Sequence, residues 1–156
     1  MTRLRILVVS LAFLGVSAGA RAEQAADWAV VCDNSDPAAV SHCYLSLLAG
    51  SIGKGDWLGI AVQRLNGAHE VQVTGAGESF GRAEINVQGD TIIVTDYCYD
   101  SYCVFVQADE LVEQFRKGEG VDISLYDGRG AAAVKEHVTL IGFTKAHRTY
   151  LERIGE

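Results

Sequence analysis

The chain has 156 residues, 49% of them hydrophobic, and a formal net charge of −7. That length fits one domain of ordinary size with a core of its own. An acidic surface repels phosphate backbones and anionic headgroups, so nucleic acid is not an expected partner.

The N-terminus reads as an export leader. Arg3 and Arg5 precede the apolar run Ile6–Val16, which falls short of the roughly 20 residues that span a bilayer. Ala20-Arg21-Ala22 fits a small-x-small cleavage site, with Glu23 as the new N-terminus; cleavage after Ala20 is the second choice. The expected division is a leader over 1–22 and a single domain over 23–156. Loss of Arg3, Arg5 and Arg21 takes the net charge from −7 to −10. No later run is apolar for long enough to span a membrane, so no transmembrane segment is expected in the mature chain. The expected location is periplasmic or secreted.

Most of the remaining chain reads as short strands. Trp28–Cys32 is the first. His42–Leu48 is the second, with Cys43, Leu45 and Leu47 on one face at period two. Trp57–Leu65 puts Leu58, Ile60 and Val62 on one face, and Glu70–Val73 alternates in the same way. Gly75–Gly81 breaks the pattern. Ile85 and Val87 face the run Ile92–Val94 across a Gly89-Asp90 turn, which predicts a hairpin. Tyr97–Val106 continues as strand through the second cysteine pair.

Asp109–Lys117 predicts a helix. Leu111, Val112 and Phe115 share a face, acids open it, bases close it, and Gly118 can cap it. Val121–Leu125 and Ala133–Ile141 are further strands. Ala146, Tyr150, Leu151 and Ile154 recur at helical spacing near the C-terminus. Eight or nine short strands with one internal and one terminal helix predict a mainly β fold. The expected architecture is an antiparallel β-sandwich, immunoglobulin-like in its two packed sheets.

The four cysteines, Cys32, Cys43, Cys98 and Cys103, all lie beyond the leader. An even count in an exported chain points to disulfides, and four cysteines allow three pairings. Cys32–Cys43 and Cys98–Cys103 are favoured, because each pair brackets a turn-like segment. Asp33-Asn34-Ser35-Asp36-Pro37 lies inside the first and Tyr99-Asp100-Ser101-Tyr102 inside the second. A four-residue hairpin loop would set Cys98 opposite Cys103 within bridging distance. Separations of eleven and five residues do not suit zinc. Cys-x-x-Cys, the usual redox motif, is absent from the sequence. No metal and no cofactor is expected.

The ordered pattern Trp28-x-Val30-x-Cys32, Cys43, Cys98-x4-Cys103, Phe115-Arg116-Lys117-Gly118 and Val138-Thr139-Leu140-Ile141-Gly142-Phe143-Thr144 resembles the invasion-associated locus B family. These are small exported proteins of alphaproteobacteria. The resemblance implies a β-sandwich with both local disulfides and a periplasmic or outer-membrane-associated location. It brings no catalytic residues. The family's founding member is linked to host-cell invasion. Family members carry a Pro-Gly-rich central segment; here Gly75–Gly81 stands in that region without proline.

Candidate chemistry is sparse. His42, His69, His137 and His147 show no metal-ligand spacing, and each reads as a surface or half-buried polar residue. Ser79 lies in Gly77-Glu78-Ser79-Phe80-Gly81, but the strand expected after it does not fit a nucleophile elbow. Asp96, Asp100, Asp109 and Glu110 cluster in sequence and read as solvated acids. Tyr97, Tyr99 and Tyr102 on a crosslinked hairpin suit a contact surface, although packing on the disulfide and sheet would also account for them.

The leading expectation is therefore a non-enzymatic envelope protein that binds a protein of the envelope or of a host surface. The alternative is a periplasmic small-molecule or glycan-binding protein, with a pocket between the sheets lined by Trp57 or the tyrosines. A hydrolase is the third reading.

Overall fold

The computed structural model describes residues 27–33, 42–51, 56–77, 79–87, 89 and 91–156. The predicted leader, and most of the turn between Cys32 and Cys43, lie outside these residues.

Among the described residues, ten strands form two antiparallel sheets. The first sheet begins as a meander of β1 (Ala29–Asp33), β2 (His42–Ser51), β3 (Asp56–Leu65) and β4 (Ala68–Gly75). β8 (Tyr102–Phe105) then pairs with β4, and β7 (Cys98–Tyr99) with β8. The second sheet runs in the order β10 (Ala132–Thr139), β9 (Gly120–Tyr126), β5 (Arg82–Val87), β6 (Thr91–Thr95). Every pairing is antiparallel. The expected sandwich is present, with one or two strands more than the sequence suggested.

Period-two alternation explains the register. Leu45, Leu47, Leu58, Ile60, Val62, Val71 and Val73 point inward from the first sheet. Ala83, Ile85, Val121, Ile123 and Leu125 meet them from the second. A one-residue slip would expose every one of these side chains, so burial fixes the pairing. The sheets approach closely at Gly75, where a Cβ would lie 2.8 Å from Leu125 Cδ1 and 3.2 Å from Val134 Cγ2. The glycine is needed there for space. Gly75–Gly81 is the crossing from one sheet to the other, and Phe80 is buried within it.

The two helices cover part of the first sheet. α1 (Asp109–Lys117) buries Leu111, Val112 and Phe115. Its end is closed by the Gly118 N–H donating to the Gln114 carbonyl with Gly118 extended, rather than by a left-handed cap. α2 (Phe143–Ile154) packs on β1 and β2 and buries Phe143, His147 and Tyr150. Phe143 meets Trp28 and Phe115 edge-on, at 4.9 and 5.5 Å. Both helices thus share one aromatic contact beneath the sheet.

Both predicted disulfides are formed. Cys32 lies directly opposite Cys43, and Cys98 opposite Cys103, each pair with a Cα separation of 4.0 Å. The second turn is tighter than predicted. Tyr99 pairs with Tyr102, leaving a two-residue turn of Asp100 and Ser101 in place of a four-residue loop. Asp100 takes a positive φ of 47° there, which aspartate tolerates better than most residues. Among the described residues, no helix is long and apolar enough to cross a membrane.

Candidate functional site

The β7–β8 hairpin is held from several sides. Cys103 is buried and ties Cys98 down to the sheet. Phe80 N–H donates to the Asp100 carbonyl, Thr74 Oγ1 to the Ser101 carbonyl, and Val104 N–H to the Tyr97 carbonyl, each at 2.8 Å. The tyrosines on this rigid base turn outward. Tyr97 is 64% exposed, Tyr99 57% and Tyr102 37%, and the Tyr99 and Tyr102 rings lie 5.6 Å apart. They project a polar-tipped apolar surface that packing against the disulfide does not consume.

Tyr97 also lines a cleft of about 360 Å³ between β6 and the start of α1. Ile93, Val94, Phe105, Leu111 and Gln114 form much of its wall. It opens at the sandwich edge, between β6 of the second sheet and β8 of the first. Trp57 is half-buried on β3, outside this cleft.

The structure brings together three residues that the sequence left apart. His69, at the start of β4, is buried, and its Nδ1 lies 2.6 Å from Asp109 Oδ1. Its Nε2 lies 3.0 Å from His147 Nε2 on α2. A carboxylate only accepts, so His69 Nδ1–H donates to Asp109. The two Nε2 atoms share one hydrogen bond, donated by whichever ring carries the proton there. The His147 ring stacks on Phe143 with centroids 5.5 Å apart.

Burial is the main reason His147 is held down to a pKa of about 4, with His69, Arg116 and Arg64 adding positive charge nearby. His147 is therefore neutral at pH 7. Asp109 lies below the ordinary aspartate value, chiefly through the His69 hydrogen bond. The chain Asp109–His69–His147 ends on a buried ring rather than at a nucleophile, and it joins α1, β4 and α2. Its chemistry suits a lock between elements.

These residues correct the sequence reading of His69 and His147 as surface or half-buried polar groups. The signal was present. Period two through Val71 and Val73 carries inward to His69, and the stripe Phe143–Tyr150 includes His147. The remaining candidates stay apart. His137 pairs with Asp122 at 2.7 Å on the exposed side of the second sheet. His42 is exposed at the start of β2. Ser79 is exposed and followed by β5, not a helix; among the described residues no hydrogen bond joins it to a histidine. The clustered acids Asp96, Asp100, Asp109 and Glu110 are all exposed, and Asp109 also accepts from His69. Among the described residues, no group of three or more His, Cys, Asp or Glu is placed to hold a metal ion.

The fold and its two staples define a disulfide-bonded, two-sheet β-sandwich with two helices packed on it. Among solved structures, the chain is similar to invasion associated protein B from Bartonella henselae. The two are 16% identical, with a TM-score of 0.62, over 86% of this chain and 98% of that one. The likeness is one of fold. No family model matches the sequence, and no curated protein matches it.

Proposed function

We propose that the chain is an exported, non-enzymatic envelope protein of the invasion-associated locus B type, which binds another protein through the tyrosine-bearing hairpin. The observation that carries this reading is the outward display of Tyr97, Tyr99 and Tyr102 on a base fixed by Cys98–Cys103. Rigid aromatic side chains lose little freedom on binding, which is why they concentrate at interfaces. The partner is a protein of the envelope or of a host surface.

Export fits the same picture. The leader over 1–22 would deliver the chain to an oxidising compartment, where two disulfides persist. The fold it shares with the Bartonella protein supports this placement.

The test is site-specific photocrosslinking in the native envelope, with the crosslinker at position 102 and a control at Lys135 on β10. The expected result is one defined adduct at position 102 that disappears in a Tyr97→Ser, Tyr99→Ser variant. Equal, diffuse adducts at both positions would overturn the reading.

A further inference from the structure

The second sheet has two edges of opposite character. β10, at one edge, carries a bulge between Ala132 and Val134 and the charged residues Lys135 and Glu136. Such features keep an edge from pairing with another chain. β6, at the other edge, has neither. Its five residues, Thr91 to Thr95, are uncharged and all β-branched. β5 pairs with one side of β6, and among the described residues no strand pairs with the other. Ile92 and Val94 are 58% and 44% exposed. Beside this edge lies the cleft formed with α1.

We propose that the outer edge of β6 is a strand-addition site for an extended segment of a partner protein, apolar in its middle and basic at the end that lies beside Asp96. The proposal rests on reading the domain as a protein-binding module, and it names the partner's chemistry. An added strand would pair with the outward backbone groups of β6 short of Thr95, whose hydroxyl donates to the Val104 carbonyl of β8, and alternate side chains would enter the cleft. The charges select a basic end. Glu110 lines the cleft, Asp96 follows β6 and is exposed, and among the described residues no Lys or Arg lines the cleft. A second copy of this chain is the poorer occupant. Its own β6 is uncharged and followed by Asp96, so it brings no basic residue to this edge.

The test uses the oxidised mature protein at low salt and three labelled peptides. The first is Lys-Thr-Val-Ile-Val-Thr-Lys; the second replaces both lysines by glutamate; the third places proline at the centre. The Lys-flanked peptide binds and slows amide exchange in Thr91–Thr95. The Glu-flanked peptide binds about tenfold more weakly, and the Pro-centred one loses binding because its ladder lacks an N–H. Asp96→Lys, a change at an exposed position, reverses the preference between the charged peptides, and Asp96→Asn narrows it.

Equal binding of the two charged peptides, or unimpaired binding of the Pro-centred one, overturns the proposal. Slowed exchange confined to Cys98–Cys103 also overturns it, but leaves the tyrosine surface standing. Loss of the position-102 adduct together with all peptide binding defeats both.

Discussion

Among the described residues, a tyrosine cluster and a histidine–carboxylate cluster face opposite ways. Tyr97, Tyr99 and Tyr102 face solvent from a crosslinked hairpin. Asp109, His69 and His147 form a chain of short contacts, at 2.6 and 3.0 Å, that runs into the core. The inward cluster has the residue types associated with catalysis, yet its terminal ring touches Phe143 and Tyr150. A short histidine–carboxylate contact is not by itself a site. His137 and Asp122 make the same contact at 2.7 Å, with side chains 63% and 65% exposed, where it secures little. Burial and the identity of the next neighbour decide what such a pair does. The inward cluster should therefore govern stability, and the outward one binding.

The sharpest way to break that division is at His69. His69→Ala removes both contacts and leaves His147 Nε2 buried without its partner. The expected cost is about 3 kcal/mol, or roughly 10 °C in Tm, read by thermal or urea denaturation of the oxidised protein.

Acid should reach the same cluster. His147 titrates near 4 in the folded chain against 6.5 for an unperturbed histidine, so the unfolded state takes up the proton first. Its contribution is complete above pH 6.5 and is lost as pH falls toward 4. The loss amounts to as much as about 3 kcal/mol. The lowered Asp109 adds further loss below its unfolded value of 3.8. His147→Gln should flatten the slope of stability against pH between 6.5 and 4. A slope that survives the change would place the titrating group elsewhere.

Opening the hairpin staple should have a smaller effect. Cys98→Ser with Cys103→Ser releases a short loop, costing about 2 kcal/mol on a chain-entropy basis. It should also weaken partner crosslinking by freeing Tyr99 and Tyr102. The smallest effect belongs to the exposed pair: His137→Ala should change stability by less than about 0.5 kcal/mol.

Much of the fold was legible in the sequence. Alternation in Leu58–Val62 and Glu70–Val73 follows from one buried sheet face, and the Asp109–Lys117 helix announces itself by charge and spacing. Both cysteine pairings followed from turn formers between them, although the pairing of Tyr99 with Tyr102 made the second turn shorter. The histidine cluster was hidden because its members lie 40 and 78 residues apart, joined only by tertiary packing. Nor does any local pattern tell a sheet's edge from its middle. Val121–Leu125 and Ile92–Val94 both read as strands, yet β9 is flanked on both sides and β6 on one. That asymmetry is a property of topology.

The proposed separation of fold from binding surface is tested most directly by Tyr99→Ser with Tyr102→Ser, measured for Tm and for crosslinking from position 97 in the same preparation. The expected result is stability within about 0.5 kcal/mol of the parent, with the partner adduct lost. A variant that keeps the adduct at full yield, or that unfolds as readily as His69→Ala, would contradict the assignment of the hairpin as the binding surface.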